Sequence, residues 1–133
     1  METLTIDIIK QVDFADKFVA LRSDGIVFVS ITSSEDVEIK DVKEVVSALE
    51  QIGNGKKFPL LIITHKYTLP TPEARSYIAT AESDPYASAE AYVIQSLSQK
   101  LVGNVYLKFN KPARPTHIFT SEEKAVEWLK TFL

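Results

Sequence analysis

The chain has 133 residues, 45% hydrophobic and 25% charged, with a net charge of −3 and no cysteine. These are the proportions of an ordinary globular protein, and the length suits one domain with its own core. They exclude a disordered chain, disulfides, thiolate metal sites and cysteine nucleophiles, and the lack of a dominant basic footprint argues against nucleic acid and anionic membranes as partners.

The N-terminus, Met1-Glu2-Thr3-Leu4-Thr5-Ile6-Asp7, is acidic and lacks a basic flank followed by an apolar run, so a signal peptide is not expected there. No apolar run approaches the roughly 20 residues that span a bilayer. The expectation is one domain over residues 1–133, cytoplasmic and without a transmembrane segment.

Leu4, Ile6 and Ile8 alternate and open a short strand whose continuation the pattern leaves undefined. Phe18–Arg22 and Ile26–Ile31 flank Ser23-Asp24-Gly25, which predicts a β-hairpin. Ile39, Val42, Val45, Val46, Leu49 and Ile52 recur at helical spacing, and Gly53-Asn54-Gly55 ends that helix. Phe58–Thr64 is an unbroken apolar run, the mark of a strand buried on both faces, with Pro59 near its start.

Thr71, Pro72 and Glu73 supply cap, first turn and dipole partner for a second helix, with Ala74, Tyr77, Ile78 and Ala81 on one face and Ser83-Asp84-Pro85 as its stop. Ala89–Ile94 reads as a strand. A third helix starts at Ser96 or Ser98 and runs to about Phe109, with Leu97, Leu101, Val105 and Phe109 every four residues. Thr116–Phe119 is a last strand; Thr120 and Glu123 form a capping box for a final helix carrying Ala125, Trp128, Leu129 and Phe132. A hairpin followed by alternating helices and strands predicts an α/β fold with a mixed, mostly parallel sheet, right-handed crossovers and about four helices.

This order resembles the STAS fold of anti-sigma-factor antagonists and the related lipid-binding CRAL-TRIO-like domains, and more closely a bacterial family of uncharacterised STAS-like proteins. The residues that carry the resemblance are Lys56-Lys57-Phe58-Pro59-Leu60-Leu61-Ile62, Thr71-Pro72-Glu73-Ala74-Arg75 and the C-terminal third: Gly103–Lys108, Asn110-Lys111-Pro112, Pro115-Thr116, Phe119-Thr120, Glu123-Lys124-Ala125 and Trp128-Leu129. The resemblance implies a STAS-like fold and a non-enzymatic interaction or regulatory module, whose partner is another protein or a second copy of the chain. The alternative it implies is a small apolar-ligand or lipid-binding domain.

In phospho-regulated STAS domains a Ser or Thr opens the helix after the central strand, and Thr71 lies at about that position, with Glu73 and Arg75 beside it. Leu69-Pro70-Thr71-Pro72-Glu73 lacks the family's Asp-Ser-(Ser or Thr)-Gly pattern, and Glu73 would repel a phosphate, so a plain N-cap competes with a phospho-acceptor or partner-binding role. His65 and Tyr67 follow the buried strand, where open α/β sheets bind ligands. Lys108, Lys111, Arg114 and His117 concentrate positive charge around two prolines; an anion site there competes with a solvated connection. His65 and His117 share no metal-ligand spacing, and Gly53-Asn54-Gly55-Lys56-Lys57 lacks the phosphate-loop framework. No catalytic set, metal or cofactor is expected. Tyr106, Phe109, Trp128 and Phe132 are expected in the core, or at a partner surface if the last helices leave them exposed.

Overall fold

Six strands form one mixed sheet in the computed structural model, which describes residues 6–133. In sheet order, which is also chain order, they are β1 (Ile8–Asp13), β2 (Lys17–Arg22), β3 (Val27–Ile31), β4 (Phe58–Thr64), β5 (Ala87–Val93) and β6 (Thr116–Phe119). The first three are antiparallel and the last four run parallel. The expected hairpin is β2–β3: Gly25, at φ +90°, donates its N–H to the Arg22 carbonyl at 3.1 Å and closes the turn. The opening strand is β1, with Leu4 outside the described residues. It is an edge strand with a register shift between Ile8 and Lys10, which is why simple alternation stops there.

The helices α1 (Ile39–Gly53), α2 (Pro72–Ile78) and α3 (Leu97–Val105) connect parallel neighbours, each one step further across the sheet. Right-handed crossovers taken in one direction put all three on the same face. The helix α4 (Glu122–Leu129) follows β6 and packs on the other face. β4 lies at the centre of this arrangement and divides its side chains between the layers. Leu60 and Ile62 join Ala48, Leu49 and Ile52 of α1, whereas Leu61 meets Ala125 and Leu129 of α4.

Local capping sets most boundaries. The Asp41 carboxylate accepts the Glu38 N–H at 2.8 Å at the start of α1, and Asn54, at φ 53°, ends that helix. The Thr71 hydroxyl accepts the Ala74 N–H at 3.1 Å, and Ser96 accepts the Gln99 N–H at 3.2 Å. α2 is shorter than expected: Ala79 is buried, whereas Ala81 is exposed in a separate 3₁₀ turn. The cap of α4 is Ser121, whose hydroxyl accepts the Lys124 N–H at 3.3 Å. The expected Thr120–Glu123 box is therefore displaced by one residue, because β6 ends at Phe119 and the chain needs two residues to turn into the helix.

The largest departure concerns α3. Leu97, Leu101, Val105 and Phe109, of which Phe109 was expected in the core, are 71%, 58%, 41% and 70% exposed. The inward face carries Gln99, Val102, Gly103 and Tyr106 instead. A four-residue repeat lies close to the 3.6-residue turn and so lines up one apolar row, but the spacing does not say whether that row faces the sheet or solvent. Of the expected aromatic core, Tyr106 is buried, Trp128 of α4 and Phe132 just after it pack half-buried against the core on that face, and Phe109 points to solvent from a π-helical turn at Tyr106–Asn110.

Candidate functional site

The face covered by α1, α2 and α3 is incompletely filled. A cavity of about 150 Å³ lies between these helices and β3–β6. Its walls are almost wholly apolar, with Val29, Leu60 and Ile62 from the sheet facing Val42, Val45 and Val46 from α1. The side chains of α1 explain the gap. The three inward-facing valines at its centre, Val42, Val45 and Val46, are short side chains that leave the space before the opposing strands unfilled, and they remain half-buried.

The end of the cavity nearest the amino ends of the strands is polar. Glu90 sits in the middle of β5, between Ala89 and Ala91, which face α4. Pleating turns Glu90 and Tyr92 to the cavity side. The Glu90 carboxylate accepts from Arg114 Nη1 at 2.8 Å and from the Tyr92 hydroxyl at 2.9 Å. Burial pushes its pKa above the ordinary carboxylate range, and the Arg114 charge opposes that rise. Asp84 stands nearby; burial, reinforced by the Glu90 charge, raises it to about 6. Tyr106 is held well above the ordinary phenol range by burial and by Glu90, so its hydroxyl keeps its proton.

Arg114 is the sequence-predicted residue that reaches this site, but as a structural tie. Its guanidinium donates to the carbonyls of Ile78 and Thr80 at 2.9 and 2.8 Å, to the Ser83 hydroxyl at 3.3 Å, and to Glu90. It is therefore not a free anion receptor. Lys108 and Lys111 are exposed, with the Lys108 ammonium 5.5 Å from the Phe109 ring. His65 and Tyr67 follow the carboxyl end of β4, whereas Lys111 and Arg114 precede β6; parallel strands put those groups at opposite ends of the sheet. The five residues do not assemble into one anion site. His65 Nδ1 accepts the Tyr67 N–H at 3.2 Å, and Tyr67 is 66% exposed; neither lines the cavity.

Thr71 opens α2 and its hydroxyl is engaged by the capping bond. Arg75 donates to the Pro70 carbonyl at 3.0 Å and also lines the cavity, while Glu73 is exposed. Among the described residues no group of three or more histidines or carboxylates is placed to hold a metal ion, and no helix is long and apolar enough to cross a membrane.

Sequence reasoning overlooked Glu90, Asp84, Tyr92 and the orientation of Tyr106. A usable signal existed in Ala89-Glu90-Ala91: a glutamate in the alternation of a strand covered on both faces needs a buried cation, and Arg114 is the one that meets it.

The comparisons agree with this architecture. The chain belongs to the family described as Domain of unknown function (DUF7793), whose model matches residues 19–133. It is also similar to the crystal structure of an uncharacterized protein from the DUF3478 family with a SpoIIAA-like fold, from Shewanella loihica PV-4. The two share 17% identity with a TM-score of 0.50, over 97% of this chain and 98% of that one. The fold is thus SpoIIAA-like, the STAS-like class that the element order indicated. No curated protein matches the chain.

Proposed function

We propose that this domain is a non-enzymatic module that binds a small, largely apolar molecule between its sheet and α1–α3. The observation that carries the reading is the apolar cavity of about 150 Å³. An engineered protein cavity of about that volume, lined by aliphatic and aromatic side chains, stays dry and accepts benzene. Natural interiors seldom leave so large a void, because unfilled space forfeits packing contacts. Benzene titration followed by amide NMR should shift the signals of Val29, Leu60, Ile62 and Tyr92, and Val46→Phe should abolish the response. Shifts confined to other parts of the protein, or none, would sink the proposal.

A second reading, an interaction module that binds a protein partner or a second copy, is favoured by the exposed stripe Leu97, Leu101, Val105 and Phe109. Contiguous apolar surface of this kind marks partner surfaces. The stripe lies on α3, not on the helix opened by Thr71. Under this reading, sedimentation equilibrium shows concentration-dependent association of the wild type or a complex with its partner, and the Leu101→Lys/Phe109→Lys variant loses it while keeping its melting temperature. An association unaffected by both substitutions would count against the stripe.

A further inference from the structure

We propose that the ligand is an uncharged molecule whose apolar body carries one hydrogen-bond-accepting oxygen, and that Tyr106 donates to that oxygen. The inference rests on the cavity-binding reading above and narrows the class of ligand.

With one exception, the polar side chains that line the cavity are engaged. Arg75 donates to the Pro70 carbonyl, Asp84 accepts the Tyr86 N–H, and the Thr64 hydroxyl donates to the His65 carbonyl. Gln99 donates to Thr64 Oγ1 and to the carbonyls of His65 and Thr68, and accepts from the Gln95 N–H. Thr68 donates to the Ser33 carbonyl, and Ser83 to the carbonyls of Ile78 and Thr80. Asp41 accepts from Lys17 and from the Glu38 N–H, and Tyr92 donates to Glu90. Tyr106 differs: it is 6% exposed, its side chain lines the cavity, and its buried hydroxyl has no partner among the described residues. A buried hydroxyl without a partner is costly, and native proteins tolerate one where a ligand or a function completes it.

The surroundings decide the charge of what completes it. Glu90 and Asp84 line the same end of the cavity as Tyr106, and burial, with the Glu90 charge added to it, favours the protonated Tyr106 hydroxyl. The cation at this end, Arg114, is held by Glu90, two carbonyls and the Ser83 hydroxyl. A carboxylate or phosphate beside Tyr106 would meet the negative charge of Glu90; Arg75, a cation that lines the cavity, donates to the Pro70 carbonyl before α2, beyond the carboxyl end of β4 and away from this end. A cationic head would find Glu90 already paired, and a purely apolar molecule would leave the Tyr106 donor unsatisfied. A ketone, ester, ether or alcohol oxygen meets the requirement, on a body of about the size of a single aromatic ring.

Three probes of similar size separate the possibilities: acetophenone, α-methylstyrene (a methylene group in place of the carbonyl oxygen) and benzoate. Each is titrated into the wild-type protein and into Tyr106→Phe, with dissociation constants from amide NMR shifts. Tyr106→Phe should weaken acetophenone about five- to tenfold, the worth of one net hydrogen bond, and leave α-methylstyrene within about twofold. Benzoate should bind more weakly than acetophenone to both proteins. Equal effects of the substitution on acetophenone and α-methylstyrene, or benzoate as the tightest probe, would overturn this inference and leave the cavity reading standing. Failure of acetophenone and α-methylstyrene alike to bind the wild type would remove the cavity reading, and this inference with it.

Discussion

Arg114 and Glu90 meet at 2.8 Å with side chains only 7% and 5% exposed, joining the approach to β6 to the middle of β5. The same guanidinium gathers the carbonyls of Ile78 and Thr80, so one side chain holds the end of α2, the turn after it and two strands together. Removing it strands a buried carboxylate. Arg114→Met should cost about 3–5 kcal/mol in chemical denaturation, and Arg114→Lys less, since an ammonium keeps the charge but not the fork. A loss below about 1 kcal/mol for Arg114→Met would show that Glu90 finds water or another partner instead.

Asp84 sets a pH dependence whose sign differs from that of an ordinary acidic surface group. Its pKa rises from 3.8 to about 6 on folding, so the folded protein binds this proton more tightly than the unfolded chain. The penalty is absent below about pH 4, grows between 4 and 6, and is complete above 6. Lowering the pH from 7 to 5 should raise stability. Asp84→Asn should add about 1–3 kcal/mol at pH 7 and flatten the profile, since an amide oxygen can still accept the Tyr86 N–H that Asp84 accepts at 3.0 Å. A wild-type profile that falls from pH 7 to 5 would contradict this.

The two cavity tyrosines should respond oppositely to loss of their hydroxyls. Tyr92 donates to a buried carboxylate at 2.9 Å, and Tyr92→Phe should cost about 1.5–3 kcal/mol. Tyr106 has no partner to lose among the described residues, so Tyr106→Phe should leave the ligand-free protein unchanged or stabilise it by up to about 1 kcal/mol. Thermal unfolding of the two variants side by side gives the comparison. A destabilised Tyr106→Phe would mean that its hydroxyl is already satisfied.

At Gly53 two effects compete. Alanine near the end of α1 would gain about 1 kcal/mol in helix propensity. A Cβ there would run into the Phe58 ring, which packs against the core formed by α1 and the sheet. Overpacking against such a ring typically costs about 1–3 kcal/mol, so Gly53→Ala should be a net loss. An unchanged melting temperature would show that Phe58 swings aside freely.

Much of this fold was legible in the chain. The apolar run from Phe58 to Thr64 identified the central strand, Asp24-Gly25 the hairpin, and the helical spacing from Ile39 to Ile52 the first crossover. The candidate site was harder to read. His65, Tyr67, Lys108 and Lys111 stood out by residue type, yet none of them lines the cavity; Glu90 did not stand out, because its meaning depends on Arg114 24 residues further on. Phe109, expected in the core, turned outward with Leu97, Leu101 and Val105, because a repeat of four marks an apolar row without saying which way the row faces.

The sequence by itself determined the type and order of the elements and hence the STAS-like architecture, since periodicity, caps and turn residues act over a few neighbouring positions. Only the tertiary structure decided where space was left unfilled, which carboxylate met which cation, and that Tyr106 turned inward while Phe109 turned out. Those outcomes depend on how far α1, α2 and α3 stand from the sheet and on their rotation against it, quantities set by many packing contacts at once and not by any local run of residues.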